Sequence, residues 1–186
     1  MGVVPAFPQG RPLTWADLGS IPDDGYRYEL VDGVLLMSPS PRPVHQRVVA
    51  RLLGMLTAGC PREWEVLPAP VDVILADDTV LIPDVVIGRR SDFGERGLQG
   101  PPILSIEVVS RSSRLMDTRL KPARLAQAGC PHYWYVEPDV PRVSCSTLRE
   151  GEYVERVVVT GEEIAEITEP YPVKLSAEDL VTPYLE

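Results

Sequence analysis

Three residues of this chain combine acidic and basic side chains in an order that predicts an active site: Asp84, Glu107 and Lys121. Asp84 lies in the segment IPDVVIG and Glu107 in PPILSIEVVS, and both segments are apolar runs typical of β-strands. A carboxylate in such a run is costly to bury unless a metal ion or a cationic partner compensates its charge. Lys121 stands at the start of a helical pattern. Two acids followed by a lysine therefore predict metal-assisted hydrolysis.

Carboxylate oxygens are hard ligands that suit Mg²⁺ or Mn²⁺, which typically keep several waters and complete their coordination with substrate phosphate. A metal ion held in this way polarises a phosphoryl group and lowers the pKa of bound water. A lysine ammonium can position that water or stabilise the charge that develops on the phosphate. The residue types therefore point to cleavage of phosphodiester bonds.

The chain also carries a family resemblance, in four segments that occur in this order: YRYELVDGVLLMSPSP, PVHQRVVARLLGML, IPDVVIG and LSIEVVSRSSRLMDTRLKPARLAQAGCPHYWYVEP. Through them it resembles the Uma family of restriction-endonuclease-like proteins, a bacterial family grouped with the PD-(D/E)XK nuclease superfamily. The resemblance covers about residues 12–182. It implies an endonuclease that uses Mg²⁺ or Mn²⁺ to hydrolyse DNA.

The resemblance also implies roles for individual residues. Asp84 corresponds to the aspartate of the PD element, and Glu107 to the acidic residue of the next strand. These two carboxylates would hold the metal ion, together with the backbone carbonyl of Val108. Glu29, in the segment ELVDG, would add a further carboxylate to the catalytic group.

The lysine of the pattern is displaced in this chain. In many superfamily members it follows the second acid by two residues, but that position is Val109 here. Lys121 fits the family's lysine on the following helix. Because Pro122 is tolerated only in the first turn of a helix, we expect the helix to begin close to Lys121, with Asp117 or Thr118 as its N-cap.

Each candidate residue also has an ordinary structural interpretation. Asp84 could cap a turn or pair with an arginine, and Glu107 could be exposed at a strand end. Lys121 could form a surface pair with Asp117, four residues earlier on the helix. Glu29 could face solvent as a cross-strand partner.

The charge of the chain opposes a nuclease. A formal net charge of -9 and a pI near 4.8 would repel a phosphate backbone. Acidic residues are concentrated in EGEYVERVVVTGEEIAEITE, however, and a set of arginines lies near the proposed site segments: Arg42, Arg47, Arg51, Arg111, Arg114, Arg119 and Arg124. The distribution leaves room for a local basic groove.

Composition sets the broad class. At 186 residues, 44% hydrophobic and 24% charged, the chain is expected to form one globular domain over residues 1–186. Its three cysteines have no C-x-x-C spacing, and no charged segment leads into an apolar stretch at the N-terminus. We therefore expect a cytoplasmic protein without a membrane segment. Two-strand cleavage would suit a homodimer, by analogy with other nucleases.

The periodicity predicts an α/β (α+β) fold, restriction-endonuclease-like, in which helices flank a central mixed sheet and an N-terminal hairpin is added. Helices are expected at 14–18, at 44–56, where His45 lies on the apolar stripe, at 121–128, and after Ser176. Strands are expected at 26–30, 34–38, 64–67, 71–75, 85–87, 103–109, 132–136, 142–148 and 153–159.

A second function of a different class also fits the sequence. The acidic charge, Val109 and Pro122, with Leu125 where a tyrosine is common, favour an inactive relative of the fold that serves as a protein-binding or structural module. RNA is a weaker alternative to DNA as substrate. Metal affinity distinguishes the module from a nuclease, because the module needs none.

Overall fold

The computed structural model describes residues 10–21, 26–38 and 40–183; the remaining residues of the predicted 1–186 domain lie outside this description. Within the described ranges four α-helices are formed: α1 (Trp15–Leu18), α2 (Pro43–Gly59), α3 (Lys121–Ala128) and α4 (Ala177–Val181). The strands of the same ranges are β1 (Arg27–Val31), β2 (Val34–Ser38), β3 (Trp64–Pro68), β4 (Val73–Ala76), β5 (Thr79–Leu81), β6 (Val85–Arg89), β7 (Phe93–Gly94), β8 (Gly97–Gln99), β9 (Leu104–Val108), β10 (His132–Glu137), β11 (Arg142–Arg149), β12 (Glu152–Thr160), β13 (Ile164–Ile167) and β14 (Val173–Ser176). The mixed α+β class is confirmed.

Across these described residues, the strands assemble into two six-stranded sheets and one small pair. The first sheet has the order β2-β1-β5-β4-β8-β7, and the second has the order β12-β11-β10-β9-β6-β3. Both are mixed, because β9 and β10 are parallel in the second sheet and β4 and β8 are parallel in the first. β13 and β14 pair only with each other.

The second sheet carries the main core. The amphipathic period of α2 places Val48, Val49, Leu52 and Leu56 in one buried cluster with the apolar residues of β6, β9 and β10. α3 covers the opposite face, where Leu125 packs in a separate cluster with Tyr133 of β10. β6 and β9, predicted as central strands from their continuous apolar runs, are indeed buried and central.

The predicted N-terminal hairpin is present but belongs to a larger unit. β1 and β2 pair as expected, and β1 then continues the first sheet by pairing with β5 through Leu30 and Val80. The expectation of one central sheet with an added hairpin was therefore incomplete. β5, β7 and β8 have only two or three residues each, too few for a period of two to stand out.

The third helix has its predicted bounds, 121–128, but its N-cap differs from the prediction. A π-helical segment, Met116–Leu120, runs directly into α3, so neither Asp117 nor Thr118 is an N-cap. The backbone N–H of Lys121 donates to the carbonyl of Met116, five residues earlier. We attribute this turn to Pro122, because a wider turn relieves the clash between a proline ring and the carbonyl four residues before it. The C-terminal prediction is confirmed, since Gly129 adopts a left-handed φ of 86° after α3.

Gly33, in the turn between β1 and β2, is expected to tolerate no side chain. Its φ is +76°, and an added Cβ would lie 2.3 Å from the Cβ of Pro12. Gly151 has a φ of +86° with open space around it, so it is a matched control for backbone strain alone. We expect Gly33→Ala to lower the melting temperature more than Gly151→Ala, because overpacking adds roughly 1–3 kcal/mol to the cost of the left-handed conformation. Equal shifts in thermal denaturation would contradict this assignment.

Candidate active site

The register of the second sheet brings Asp84 and Glu107 together. β6 and β9 are antiparallel, with Val85 opposite Ile106, so Asp84, one residue before Val85, lies opposite Glu107, one residue after Ile106. Residues directly opposite each other in an antiparallel pair project from the same face. Both side chains are buried, at 5% and 2% exposure. Strand-end exposure of Glu107 is therefore excluded.

Lys121 lies at the centre of a group of carboxylates. Its Nζ is 2.9 Å from Oε1 of Glu29, 3.1 Å from Oε1 of Glu107 and 3.6 Å from Oδ1 of Asp117. All four side chains are buried. The pair with Asp117 does exist, but as one part of a buried cluster and not as a surface contact.

Glu29 connects the first sheet to this cluster. It lies on β1, is 3% exposed, and its Oε1 accepts a hydrogen bond of 2.7 Å from the backbone N–H of Ile82 as well as contacting Lys121. A solvent-facing role for Glu29 is therefore wrong. The sequence-predicted residues Glu29, Asp84, Glu107 and Lys121 all converge at the junction of the two sheets.

Asp84 is fixed by three neighbours. Its Oδ2 accepts a 2.8 Å hydrogen bond from the backbone N–H of Val108 and lies 3.0 Å from Nε2 of His45. Its Oδ1 lies 3.4 Å from Nη1 of Arg27. The interpretation of Asp84 as an arginine partner is thus also correct in part, although the arginine lies in the same cleft as the carboxylate.

The two opposed carboxylates titrate differently. Burial raises the pKa of Glu107 well above its ordinary value, and Asp117, Asp84 and Glu29 add to the rise although Lys121 opposes it. Burial also pushes the pKa of Asp84 upward, but the bonds from His45 and Val108 outweigh it and leave that pKa lowered. Asp84 is therefore an anion at neutral pH, whereas Glu107 resists ionisation.

Lys121 remains charged in this setting. Burial alone would lower the pKa of its ammonium, but the nearby carboxylates of Glu107, Glu29 and Asp117 raise it above the ordinary value. One lysine cannot balance several carboxylates, so repulsion among them adds to the effect of burial and keeps the pKa of Glu107 raised. A permanently charged ammonium donates hydrogen bonds and stabilises anions; it is not a proton acceptor.

The cluster forms the floor of a cleft of about 450 Å³. Carboxylates of the floor are Glu29, Asp84, Glu107 and Asp117, and cations that line the same cleft are Arg27, Arg42, Arg111 and Lys121. The expected basic groove is only partly present, because most arginines of the predicted set do not line the cleft. Arg47 donates to the carbonyl of Val181, and Arg124 pairs with Asp32.

The donor set of the floor fits a hard divalent cation. Among the described residues, no group of three or more His, Cys, Asp or Glu side chains is arranged as a complete metal site. Mg²⁺ does not require one, because one or two carboxylates with water and substrate phosphate suffice. Asp84 and Glu107 supply such a pair. Burial, with the added repulsion of the neighbouring carboxylates, raises the pKa of Glu107, and a bound cation would offset both effects. The Val108 residue lines the cleft beside them.

Sequence reasoning did not identify which residues contact Asp84. These are His45 and Arg27, whereas the contact of Asp117 with Lys121 was among the interpretations of the sequence. The position of His45 on the apolar stripe of α2 was a usable signal, since the start of that stripe meets the cleft. Nothing in the sequence around Arg27 indicates that it would lie beside a residue of a different sheet.

A family model matches most of this chain. Residues 15–180 match the model of the Uma2 family, described as "Putative restriction endonuclease". The chain belongs to this family, and its membership supports a nuclease function.

The fold is shared with a protein of known structure. The chain is similar to the crystal structure of "a putative nuclease belonging to DUF820 from Anabaena variabilis ATCC 29413", with a TM-score of 0.72 and 17% sequence identity. The similarity covers 91% of this chain and 98% of that one. A search of curated proteins gave no match. In the described part of the chain, no helix combines the length and apolar character needed to cross a membrane.

Proposed function

We propose that this protein is a metal-dependent endonuclease that hydrolyses phosphodiester bonds of DNA. The observation that carries the proposal is the convergence of Asp84, Glu107 and Lys121 on the floor of one cleft, from a loop, a strand and a helix distant in sequence. Family membership supports the nuclease class. The choice of DNA over RNA rests on the resemblance of the sequence to restriction-endonuclease-like proteins.

Asp84 and Glu107 are the proposed metal ligands, with the backbone carbonyl of Val108 as a third donor. Mg²⁺ or Mn²⁺ bound there would supply polarisation of the scissile phosphate and a lowered pKa of coordinated water. The protein contributes the placement of the ligands. Val108 and His45 hold Asp84 in one orientation through its Oδ2, which leaves Oδ1 facing Arg27 at 3.4 Å.

Lys121 has an electrostatic role in this proposal. Because its ammonium is kept charged by the carboxylates around it, it orients water or stabilises the negative charge that develops on the phosphate. Glu29 holds Lys121 at 2.9 Å. Glu29 therefore assists catalysis by positioning the ammonium.

The inactive-module alternative draws on the same cluster. A lysine between buried carboxylates can be a purely structural ion group, and it then needs no metal ion. The cleft argues for the nuclease, since a structural group does not require a 450 Å³ opening lined by further arginines.

Cleavage of supercoiled plasmid DNA tests the proposal. We expect nicked and linear products with Mg²⁺ or Mn²⁺ and none with EDTA, because the floor carboxylates need a divalent cation to approach a phosphate. A labelled RNA of matched sequence decides between the nucleic acids. Intact DNA under all metal conditions, with protein shown to be folded by circular dichroism, would overturn the proposal.

The remaining parts of the proposal concern organisation. We take residues 1–186 as one restriction-endonuclease-like domain acting in the bacterial cytoplasm, and as a homodimer, because a two-fold axis matches the symmetry of duplex DNA. One cooperative unfolding transition and a dimer mass by light scattering are the expected results. Two separate transitions would contradict the single domain.

A further inference from the structure

The rim of the cleft holds an arrangement that the catalytic floor does not use. Arg42 immediately precedes α2, and Arg111 follows β9 in the loop that leads to the π-helical segment. Both arginines line the cleft that contains Asp84 and Glu107. Asp139, in the turn between β10 and β11, contacts both of them.

Asp139 bridges the two arginines with its two oxygens. Oδ1 lies 2.8 Å from Nη2 of Arg42, and Oδ2 lies 3.6 Å from Nε of Arg111. The side chain of Asp139 is 43% exposed, that of Arg42 is 55% exposed and that of Arg111 is 94% exposed. An exposed pair of this kind contributes little to stability, so a competing anion can displace the carboxylate.

We propose that Arg42 and Arg111 form a subsite for a backbone phosphate of the nucleic acid, and that Asp139 occupies this subsite in the free protein. The inference rests on the proposed function, because it assumes a substrate that continues beyond the scissile phosphate. A carboxylate and a phosphate both present paired oxygen acceptors, and the planar guanidinium group of arginine can donate two hydrogen bonds to either one. The subsite lies at the rim, and the scissile phosphate binds at the floor.

This arrangement also explains how an acidic protein can bind DNA. The net charge of -9 opposes approach of a polyanion, but the field at the cleft depends on the groups that line it. Displacement of Asp139 frees the two exposed guanidinium groups to pair with a phosphate beside the floor. The attraction therefore acts only near the place where the substrate is to be cleaved. The carboxylate of Asp139 therefore lowers affinity for nucleic acid in the free state.

The test is the affinity of a fluorescein-labelled DNA oligonucleotide, single-stranded and duplex, measured by anisotropy. Ca²⁺ replaces Mg²⁺ to supply a hard cation for the floor carboxylates, and gels verify that the DNA stays intact. We expect Asp139→Ala to bind about two- to fivefold more tightly. Glu166→Ala is the matched control, because Glu166 is also an exposed carboxylate paired with a cation, Lys174, but does not line the cleft.

The arginines are tested in the opposite direction. Arg42→Ala and Arg111→Ala should weaken binding, and each should reduce the slope of log K against log salt by about 0.7–0.9, the value for one lost phosphate contact. Arg149→Ala is the control, since Arg149 is exposed and paired with Glu169 outside the cleft. It should change neither the affinity nor the slope.

The outcomes separate this inference from the proposed function. If the wild type cleaves DNA with Mg²⁺ but Asp139→Ala binds no more tightly than Glu166→Ala, the subsite is wrong and the nuclease stands. The same holds if the Arg42 and Arg111 variants match Arg149→Ala. A wild type that neither binds nor cleaves nucleic acid overturns both.

Discussion

Glu107→Gln is expected to lower the rate of DNA cleavage by at least about a hundredfold. Mutation of a residue that only supports a metal ligand typically lowers activity by about 10- to 100-fold, and loss of the ligand itself should cost no less. The substitution replaces a metal-binding carboxylate by an amide of nearly the same shape. Burial keeps the pKa of Glu107 well above its ordinary value, so the neutral amide resembles the form that the free protein already favours. We therefore expect little change in melting temperature.

Glu137→Gln is the matched control for this variant. Glu137 is also a buried glutamate, 5% exposed, on β10, the strand next to β9. It pairs with Arg114 and Arg142 and does not line the cleft. The control should retain cleavage. Full activity of Glu107→Gln in Mg²⁺ would remove Glu107 from the catalytic group.

Lys121→Met is expected to abolish cleavage and, in addition, to destabilise the protein. The substitution leaves the carboxylates of Glu29, Glu107 and Asp117 buried without their shared cation. Removing one partner of a buried ion group costs roughly 3–5 kcal/mol. For a domain of this size each kcal/mol corresponds to about 2–4 °C. Differential scanning calorimetry should therefore show a decrease in melting temperature of roughly 6–20 °C.

The loss of stability in Lys121→Met should increase with pH. Below the unfolded-state pKa of glutamate, 4.5, the carboxyl groups are protonated in both the folded and the unfolded protein, so little repulsion is felt. Above it the unfolded chain ionises freely, whereas the folded chain must keep protons or bury unpaired charges. An acid whose pKa is higher in the folded than in the unfolded protein lowers the stability as pH rises. In Lys121→Met the ammonium no longer opposes the rise in the pKa of Glu107, so this effect is larger than in the wild type.

Melting temperatures measured at about pH 5 and pH 8 check the sign of this effect. The deficit of Lys121→Met relative to the wild type should be larger at the higher pH. Lys174→Met is the control, because Lys174 is the only other lysine of the sequence and is exposed. A deficit that shrinks as pH rises would show that the carboxylates are not held together by Lys121.

The candidate site shows what local sequence pattern can and cannot predict. Asp84 and Glu107 were identified because each lies in an apolar segment of the sequence, and for Glu107, which is on β9, the period of two then determines the face of the sheet on which it lies. The partners of Asp84 were not predicted, since His45 and Arg27 reach it from α2 and β1. Contacts between elements far apart in sequence leave no periodic signal.

The elements of the fold were also predicted only in part. Long elements such as α2, β11 and β12 were predicted close to their observed bounds, because their patterns extend over several periods. The first sheet was missed as a unit, since β5, β7 and β8 are too short to show alternation. α3 has its predicted bounds, but its N-cap was predicted wrongly, because the rule for proline in a helix does not foresee a preceding π-helical turn that accommodates Pro122.

The most direct test of the proposed metal site is Mn²⁺ binding measured by calorimetry in the presence of a phosphorothioate DNA that resists cleavage. The DNA is included because substrate phosphate completes the coordination of such metals. We expect the wild type and Glu137→Gln to bind Mn²⁺, and folded Asp84→Asn and Glu107→Gln to lose that binding. Equal Mn²⁺ binding by all four proteins, or none by the wild type, would contradict the proposal that Asp84 and Glu107 form a catalytic metal site.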